Sequence, residues 1–469
     1  MNKNIVLRAV SVLFLSSLIL STPLRAEVLS QAEKDQLETL KQKALNSNLA
    51  YELVESITTE VGPRRVGTPG DAQGVKWAVA KMKALGFDKV WTEDVTFHQW
   101  TRGTVDARII APYPQKMVAI ALGGSVPTPK GGLEAEVVHF ENFAALEAAE
   151  EGSLTGKIAF VSYRMERKID GSGYGPAVGT RVAGAAMAAS KGAVAMIMRS
   201  VGTDNNRIGH TGSMRYKDGV AKIPAAALSN PDADILVNQL KRGKPVTFHL
   251  NLTSEMGEHI PVTTQNVIGE ITGSESPEDF VVLAAHLDSW DVGTGAVDDG
   301  IGVGITLATA HHLMSLPQRP KRSVRVILFA AEEVGLVGVD QYLEANLDKI
   351  DRHVIGAEWD FGVGRIYEMV PGVGPMALNA IRELASYMAP LGVSLSPKND
   401  AKGQSDLSRL GKAGMPAVNL SPDGSKYFDY HHTENDTLDK VNAEDMKQNT
   451  AVFTLFAYFA AQSGVNFRQ

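Results

Sequence analysis

The sequence predicts an α/β fold built on a mostly parallel sheet with helices on both faces. Two patterns carry this expectation. From about residue 264 onward, short β-branched runs alternate with helix-length stretches, the rhythm of strands joined by helical crossovers. Runs such as 281–285 (VVLAA) and 323–330 (SVRVILFA) are apolar almost throughout, as in strands buried on both faces rather than one. A third observation concerns chemistry. Several of these runs end in histidine or a carboxylate, and in such sheets ligands bind at the carboxyl ends of the strands.

The first 26 residues read as a signal peptide. Lys3 and Arg8 precede an apolar stretch at 9–20 that is too short to span a bilayer, with cleavage expected after Ala26. The protein is therefore expected to be exported, to the periplasm or beyond. Removing Lys3, Arg8 and Arg25 takes the net charge from −7 to −10, which argues against nucleic acid as a partner. No later stretch is apolar for long enough to be a membrane span. There is no cysteine, so the fold relies on core size rather than disulfides, and any metal site must use His, Asp and Glu.

Residues 27–124 are expected to form the N-terminal part of a catalytic domain. A helix is expected over 30–55, capped by Ser30, and a second over 71–85, followed by a strand at 90–96. The intervening 62–70, with Arg64 and Arg65, has the Gly and Pro content of a loop, and its arginines read as solvated. Residues 125–254 change character, with many Gly and Ala and short β-like runs at 158–161, 193–198 and 246–250, and a helix at 182–190 between two of them. They are expected to form a separate module inserted into the larger domain. Met196 and Met198 read as core, and His210, isolated among glycines, as a surface histidine. Residues 255–469 complete the catalytic domain. Strands are expected at 266–271, 280–285, 323–330, 353–358 and 417–420, and helices at 300–314, 338–346, 375–388 and 443–462.

Four segments place candidate groups at one sheet edge: His286 and Asp288 after the strand 280–285, Glu332 and Glu333 after 323–330, Asp360 after 353–358, and His431-His432-Thr433 before the last helix. Asp298 stands at the start of the helix that follows the first of these strands. So many carboxylates repel one another unless cations are present, and His, Asp and Glu are the ligands of divalent metals. Two metals about 3.5–4 Å apart with a bridging carboxylate is an arrangement that hydrolyses amides and phosphates. In the Glu332–Glu333 pair, one carboxylate can bind metal while its neighbour takes a proton. Asp288 fits a partner that orients the His286 imidazole.

These residues carry a resemblance. AHLDSW, GAVDDG, AAEEVGLVG, EWD and HHTENDT, in that order, resemble the co-catalytic zinc exopeptidases, a family that spans secreted bacterial aminopeptidases and glutamate carboxypeptidases. The layout is nearest the carboxypeptidase Q type. The loop GPRRVGTPG resembles the family's early loop, and 125–254 resembles the protease-associated domain inserted in many members. The resemblance implies two zinc ions per chain. His286 and Asp360 would hold one, Glu333 and His432 the other, and Asp298 would bridge them. Glu332 would be the general base, Asp288 its catalytic companion at His286, and Asp436 a partner orienting His432. It further implies a peptide substrate and a homodimer, and it places Gln404-Ser405-Asp406 near the substrate site. An aminopeptidase is the alternative within the family.

Two readings of another class compete. Gly300, Gly302 and Gly304 after a strand imitate part of a dinucleotide-binding fingerprint, but the third glycine is misplaced and the turn is anionic, a poor place for a pyrophosphate. A non-catalytic binding protein on the same fold would have no reason to retain all five ligand positions and the base. His311 and His312 read as a helix-surface pair.

Overall fold

The computed structural model describes residues 28–469; the expected signal peptide lies outside the described residues. Two eight-stranded sheets organise them. The first has the spatial order Lys89–Thr101, Glu255–Ile271, Arg322–Phe329, Ser276–His286, His353–Glu358, Ala417–Pro422, Ile366–Gly372, Ser394–Leu395. Its four central strands, from Arg322–Phe329 to Ala417–Pro422, run parallel. The neighbours on both sides, Glu255–Ile271 and Ile366–Gly372, are antiparallel to this block. The mostly parallel expectation therefore describes the centre of a mixed sheet.

The strand Ser276–His286 shows why its sequence is apolar at successive positions. Val281, Leu283 and Ala285 face one core, packed with the helices Ile301–Met314 and Ala443–Gln462; Phe280, Val282 and Ala284 face another, with Val337–Asn346 and Leu407–Lys412. Side chains alternate across a strand, so a strand covered on both sides must be apolar on both. No helix among the described residues is long and apolar enough to cross a membrane.

The helix expected over 30–55 is two helices, Gln31–Leu45 and Leu49–Glu60. Ser30 caps the first in a capping box with Glu33. Asn46, Ser47 and Asn48 separate them, residues whose side chains compete for backbone hydrogen bonds and favour a break.

The second sheet has the order Gln115–Met117, Val105–Ala111, Thr247–Leu252, Leu133–Phe140, Ile158–Val161, Ala195–Arg199, Ala225–Leu228, Ala119–Ala121. It draws in three strands that precede residue 125, so this layer begins at Val105. The two crossings between the layers lie side by side. Thr101 pairs with Glu255 in the first sheet and Val105 with Leu252 in the second. Between them, Thr253 N donates to Thr104 O at 3.1 Å and Thr104 N to Thr253 Oγ1 at 2.7 Å.

Candidate active site

The end of the strand Ser276–His286 delivers His286, fully buried, to the edge of the first sheet. Its Nδ1 donates to the backbone carbonyl of Asp288 at 3.0 Å, which turns Nε2 toward the carboxylates. Nε2 lies 3.0 Å from Asp298 Oδ1 and 3.2 Å from Asp360 Oδ1. On the other side, His432 Nε2 lies 2.9 Å from Glu333 Oε2 and 3.3 Å from Asp298 Oδ2. Its Nδ1 is 3.2 Å from the carbonyl of Thr211. Asp298 thus turns one carboxylate oxygen to each of two groups, His286 with Asp360 and His432 with Glu333. Burial pushes its acidity down, yet hydrogen bonds from His286 and His432 hold the Asp298 carboxyl well below its ordinary pKa. Burial also pulls against a charged His286, but Asp360 and Asp298 hold that imidazole well above its ordinary value. Of the histidine doublet, His432 is the one that converges on both carboxylates; His431 Nε2 stands 3.8 Å from Asp298, stacked on its neighbour.

The expectation for Asp288 needs correction. Its backbone carbonyl, not its carboxylate, meets the imidazole; the nearest carboxylate oxygen is 3.8 Å away. The carboxylate instead accepts the backbone N–H groups of Glu332 at 3.1 Å and Glu333 at 3.3 Å. Asp288 therefore sets where the glutamate pair stands. The two glutamates then diverge. Glu333 is buried against His432, while Glu332 keeps exposure to a cleft and accepts a hydrogen bond from the Ser405 hydroxyl. Burial, reinforced by Asp360, pushes Glu332 up to about 8. Gln404 receives the backbone N–H of Asp360 at 3.2 Å, so Gln404 and Ser405 both belong to this edge, whereas the Asp406 carboxylate is buried behind it.

Asp436 does not orient His432. Its carboxylate accepts the backbone N–H groups of Val297 at 2.6 Å and Asp298 at 3.3 Å, fixing the turn that carries Asp298. Arg64, expected in solvent, is fully buried. Its guanidinium donates to the carbonyls of Leu287 at 2.7 Å, Thr294 at 2.8 Å and Gly295 at 2.8 Å, spanning the loop between His286 and Asp298. Asp299, which sequence reasoning passed over, accepts the N–H groups of His286 at 3.2 Å and Gly302 at 3.0 Å.

The second layer closes the site. A cleft of about 580 Å³ is lined by Glu332, Glu333, Asp360 and His432 from the first layer and by Tyr174 and Arg181 from the second. Arg181 is buried, its Nη1 3.3 Å from His432 Nδ1, and its Nε meets no partner among the described residues. Trp290, on the loop after His286, inserts into the core of the second layer and packs against His432 at a tilt of 59°, with ring centroids 5.6 Å apart. His210 is not at the surface: it is buried and bonded to both Asp204 and the backbone of His431. Neither Arg181 nor His210 stands in a spacing that sequence alone ties to chemistry.

Residues 266–457 match the model of Peptidase family M28. Carboxypeptidase Q of Mus musculus is 34% identical over 417 residues, covering 88% of this chain and 86% of its own length. The chain belongs to peptidase family M28. A solved M28 peptidase precursor from Shewanella amazonensis is 48% identical with a TM-score of 0.91, covering 93% of this chain and 98% of that one. A Bacillus subtilis structure described as a zinc aminopeptidase, at 22% identity and TM-score 0.64 over 88% of this chain and 95% of that one, shares the fold. The five-motif resemblance and the enzyme class it implied are borne out at the level of the family.

The peptidase's donor set fits divalent cations. His286, Asp298 and Glu333 place ligand atoms within 4.8 Å of one another, as do Asp298, His431 and His432. Glu333 Oε1, buried beside His432, meets no donor among the described residues, a costly arrangement for a carboxylate without a cation. The glycines of the dinucleotide decoy have a packing explanation. A Cβ on Gly302 would lie 2.3 Å from Asp299 Oδ2, and one on Gly304 would lie 2.5 Å from the Ala50 carbonyl. They let a helix approach its neighbours, and no phosphate is needed to account for them. His311 and His312 are not a surface pair either: His312 is buried.

Proposed function

We propose that this M28 peptidase is an exported binuclear zinc exopeptidase that cleaves dipeptides or short peptides, periplasmic or secreted as its N-terminal sequence suggests. The observation that carries the reading is Asp298, whose two carboxylate oxygens face two separate His–carboxylate pairs. His286 and Asp360 would hold one zinc, His432 and Glu333 the other, with Asp298 between them. When bound, the metals supply Lewis acidity toward a peptide carbonyl and toward water.

The chain's own groups do the rest. Glu332, facing the cleft, accepts the proton of the attacking water and returns it to the leaving amine. The Ser405 hydroxyl, donating to Glu332 Oε1, keeps the carboxylate turned toward the cleft. The second layer, in the role of a protease-associated module, walls the cleft off and contributes the Arg181 cation, which suits a substrate with a free carboxylate. This favours the carboxypeptidase or dipeptidase type.

Purified protein is expected to contain about two zinc per chain. Asp298→Ala is expected to lose both together; loss of one would reassign the bridge, and a zinc-free, chelator-insensitive parent would refute the metal reading. Free dipeptides, N-blocked peptides and C-amidated peptides separate the activity types. Cleavage of C-amidated but not N-blocked peptides would make the enzyme an aminopeptidase.

A further inference from the structure

His432 adopts φ +60°, a left-handed conformation that non-glycine residues rarely hold unless their surroundings impose it. Those surroundings come from the second layer. The carbonyl of His431 accepts from His210 Nδ1 at 2.8 Å, and the carbonyl of His432 accepts from Thr211 N at 3.1 Å. The two peptide planes that flank the His432 Cα are thus each pinned by one of two consecutive residues. With both planes fixed, the direction of the His432 side chain toward Glu333 and Asp298 is fixed as well.

His210 is itself held. It is 1% exposed, and its Nε2 lies 2.8 Å from Asp204 Oδ1. Asp204 is anchored in turn by the N–H of Asn206 at 2.8 Å and by Asn230 Nδ2 at 3.3 Å. The His210 backbone N–H donates to Ser200 Oγ at 2.9 Å. The ring lies so close to Gly202 that a Cβ there would come within 2.3 Å of it. A side chain gripped on every side and ending on one carbonyl of the other layer is arranged to transmit position.

We propose that His210, oriented by Asp204, is a positioning residue of the metal centre, setting the backbone of His432 from the second layer. The inference rests on the proposed zinc site. Residues that orient metal ligands typically change affinity or activity by about 10–100-fold when lost. His210→Ala is therefore expected to weaken one of two zinc equivalents by about 10–100-fold in chelator competition, and to lower kcat by a similar factor with KM within a few-fold. His210→Asn, whose side-chain amide can still reach the His431 carbonyl, is expected to recover most of both. Zinc competition is read on protein shown by circular dichroism to be folded. Should His210→Ala fail to accumulate as folded protein, Asp204→Asn, which keeps the ring but weakens its anchor, carries the same expectation. Parental zinc affinity and kcat in the folded variants, or a His210→Asn no better than His210→Ala, would overturn the proposal while leaving the zinc reading intact. A parent chain that binds no zinc would overturn both.

Discussion

Glu332 and Glu333 are adjacent in sequence and opposite in surroundings. Both backbone N–H groups rest on Asp288, so their side chains leave one fixed platform in different directions, Glu333 toward His432 and Glu332 toward the cleft. Glu332→Gln keeps size and shape while removing the carboxylate proposed as the base. It is expected to retain its zinc and lose about 10²–10⁴-fold in kcat, the usual contribution of a positioned general base. Glu333→Gln should instead release metal. Zinc lost from the first variant and kept by the second would exchange the two roles. That a carboxylate pair follows a buried strand is plain in the sequence. Which member turns toward the cleft is not, because the direction is set by Asp288 and Ser405, distant along the chain.

At the scale of elements, the loop from His286 to Gly295 has no regular structure of its own and hangs on Arg64. Removing the guanidinium leaves the carbonyls of Leu287, Thr294 and Gly295 without that donor in the interior. Each unsatisfied buried group costs about 1–3 kcal/mol, and the Gly295 carbonyl keeps the Gly300 N–H, so Arg64→Ala is expected to lose on the order of 2 kcal/mol or more by denaturant titration. Arg64→Lys should recover little, since an ammonium lacks the planar fork that reaches carbonyls in several directions. Near-parental stability of either variant would remove Arg64 from this role. The sequence marked 62–70 as a loop but not as a buried one, because three of the four carbonyls that Arg64 meets lie more than 220 residues away. The helix Ile301–Met314 hides a second such case. Burial pushes His312 down to about 4, and neither ring nitrogen meets a partner among the described residues. The folded state thus holds it neutral while the unfolded chain protonates near 6.5. Its effect on stability is nil above that value and unfavourable as the pH falls toward 4. His312→Leu is expected to lose less stability between pH 7 and pH 5 than the parent, by about 1–2 kcal/mol. Equal slopes would place the acid sensitivity elsewhere.

For the whole molecule, the layers share their interior. Trp290 belongs to a site loop of the first layer and to the core of the second, and Arg102 grips Asp291 with Nε 2.9 Å from Oδ2 while its Nη1 reaches Thr211. Calorimetry should accordingly show one cooperative transition that moves up with zinc, because a ligand bound only by the folded state stabilises it. Two transitions, one of them indifferent to metal, would mean that the layers fold separately. The central strands, most helices and the His and carboxylate groups that converge on the sheet edge were legible because each falls in a long periodic segment or at its end. The start of the second layer was not: Gln115–Met117 and Ala119–Ala121 are three residues each, too short to show any period. His210 was misplaced because a glycine-rich setting looks exposed in sequence, whereas here Gly202 and its neighbours let the backbone close around the ring.

Because both crossings run side by side, the polypeptide joins its layers along a single edge. Mechanically this is a door on one pair of hinges, with Arg102 and the Thr104–Thr253 bonds at the pin. Away from that edge only non-covalent latches hold it, such as Arg167 on Asp429. A rotation about the pin stretches no covalent bond, so the width of the doorway is governed by latch strength. The groups that cut the peptide and the contacts that admit it are coupled where the second layer grips the site, at the His210–His431 and Thr211–His432 bonds, so swinging the door would also move His432.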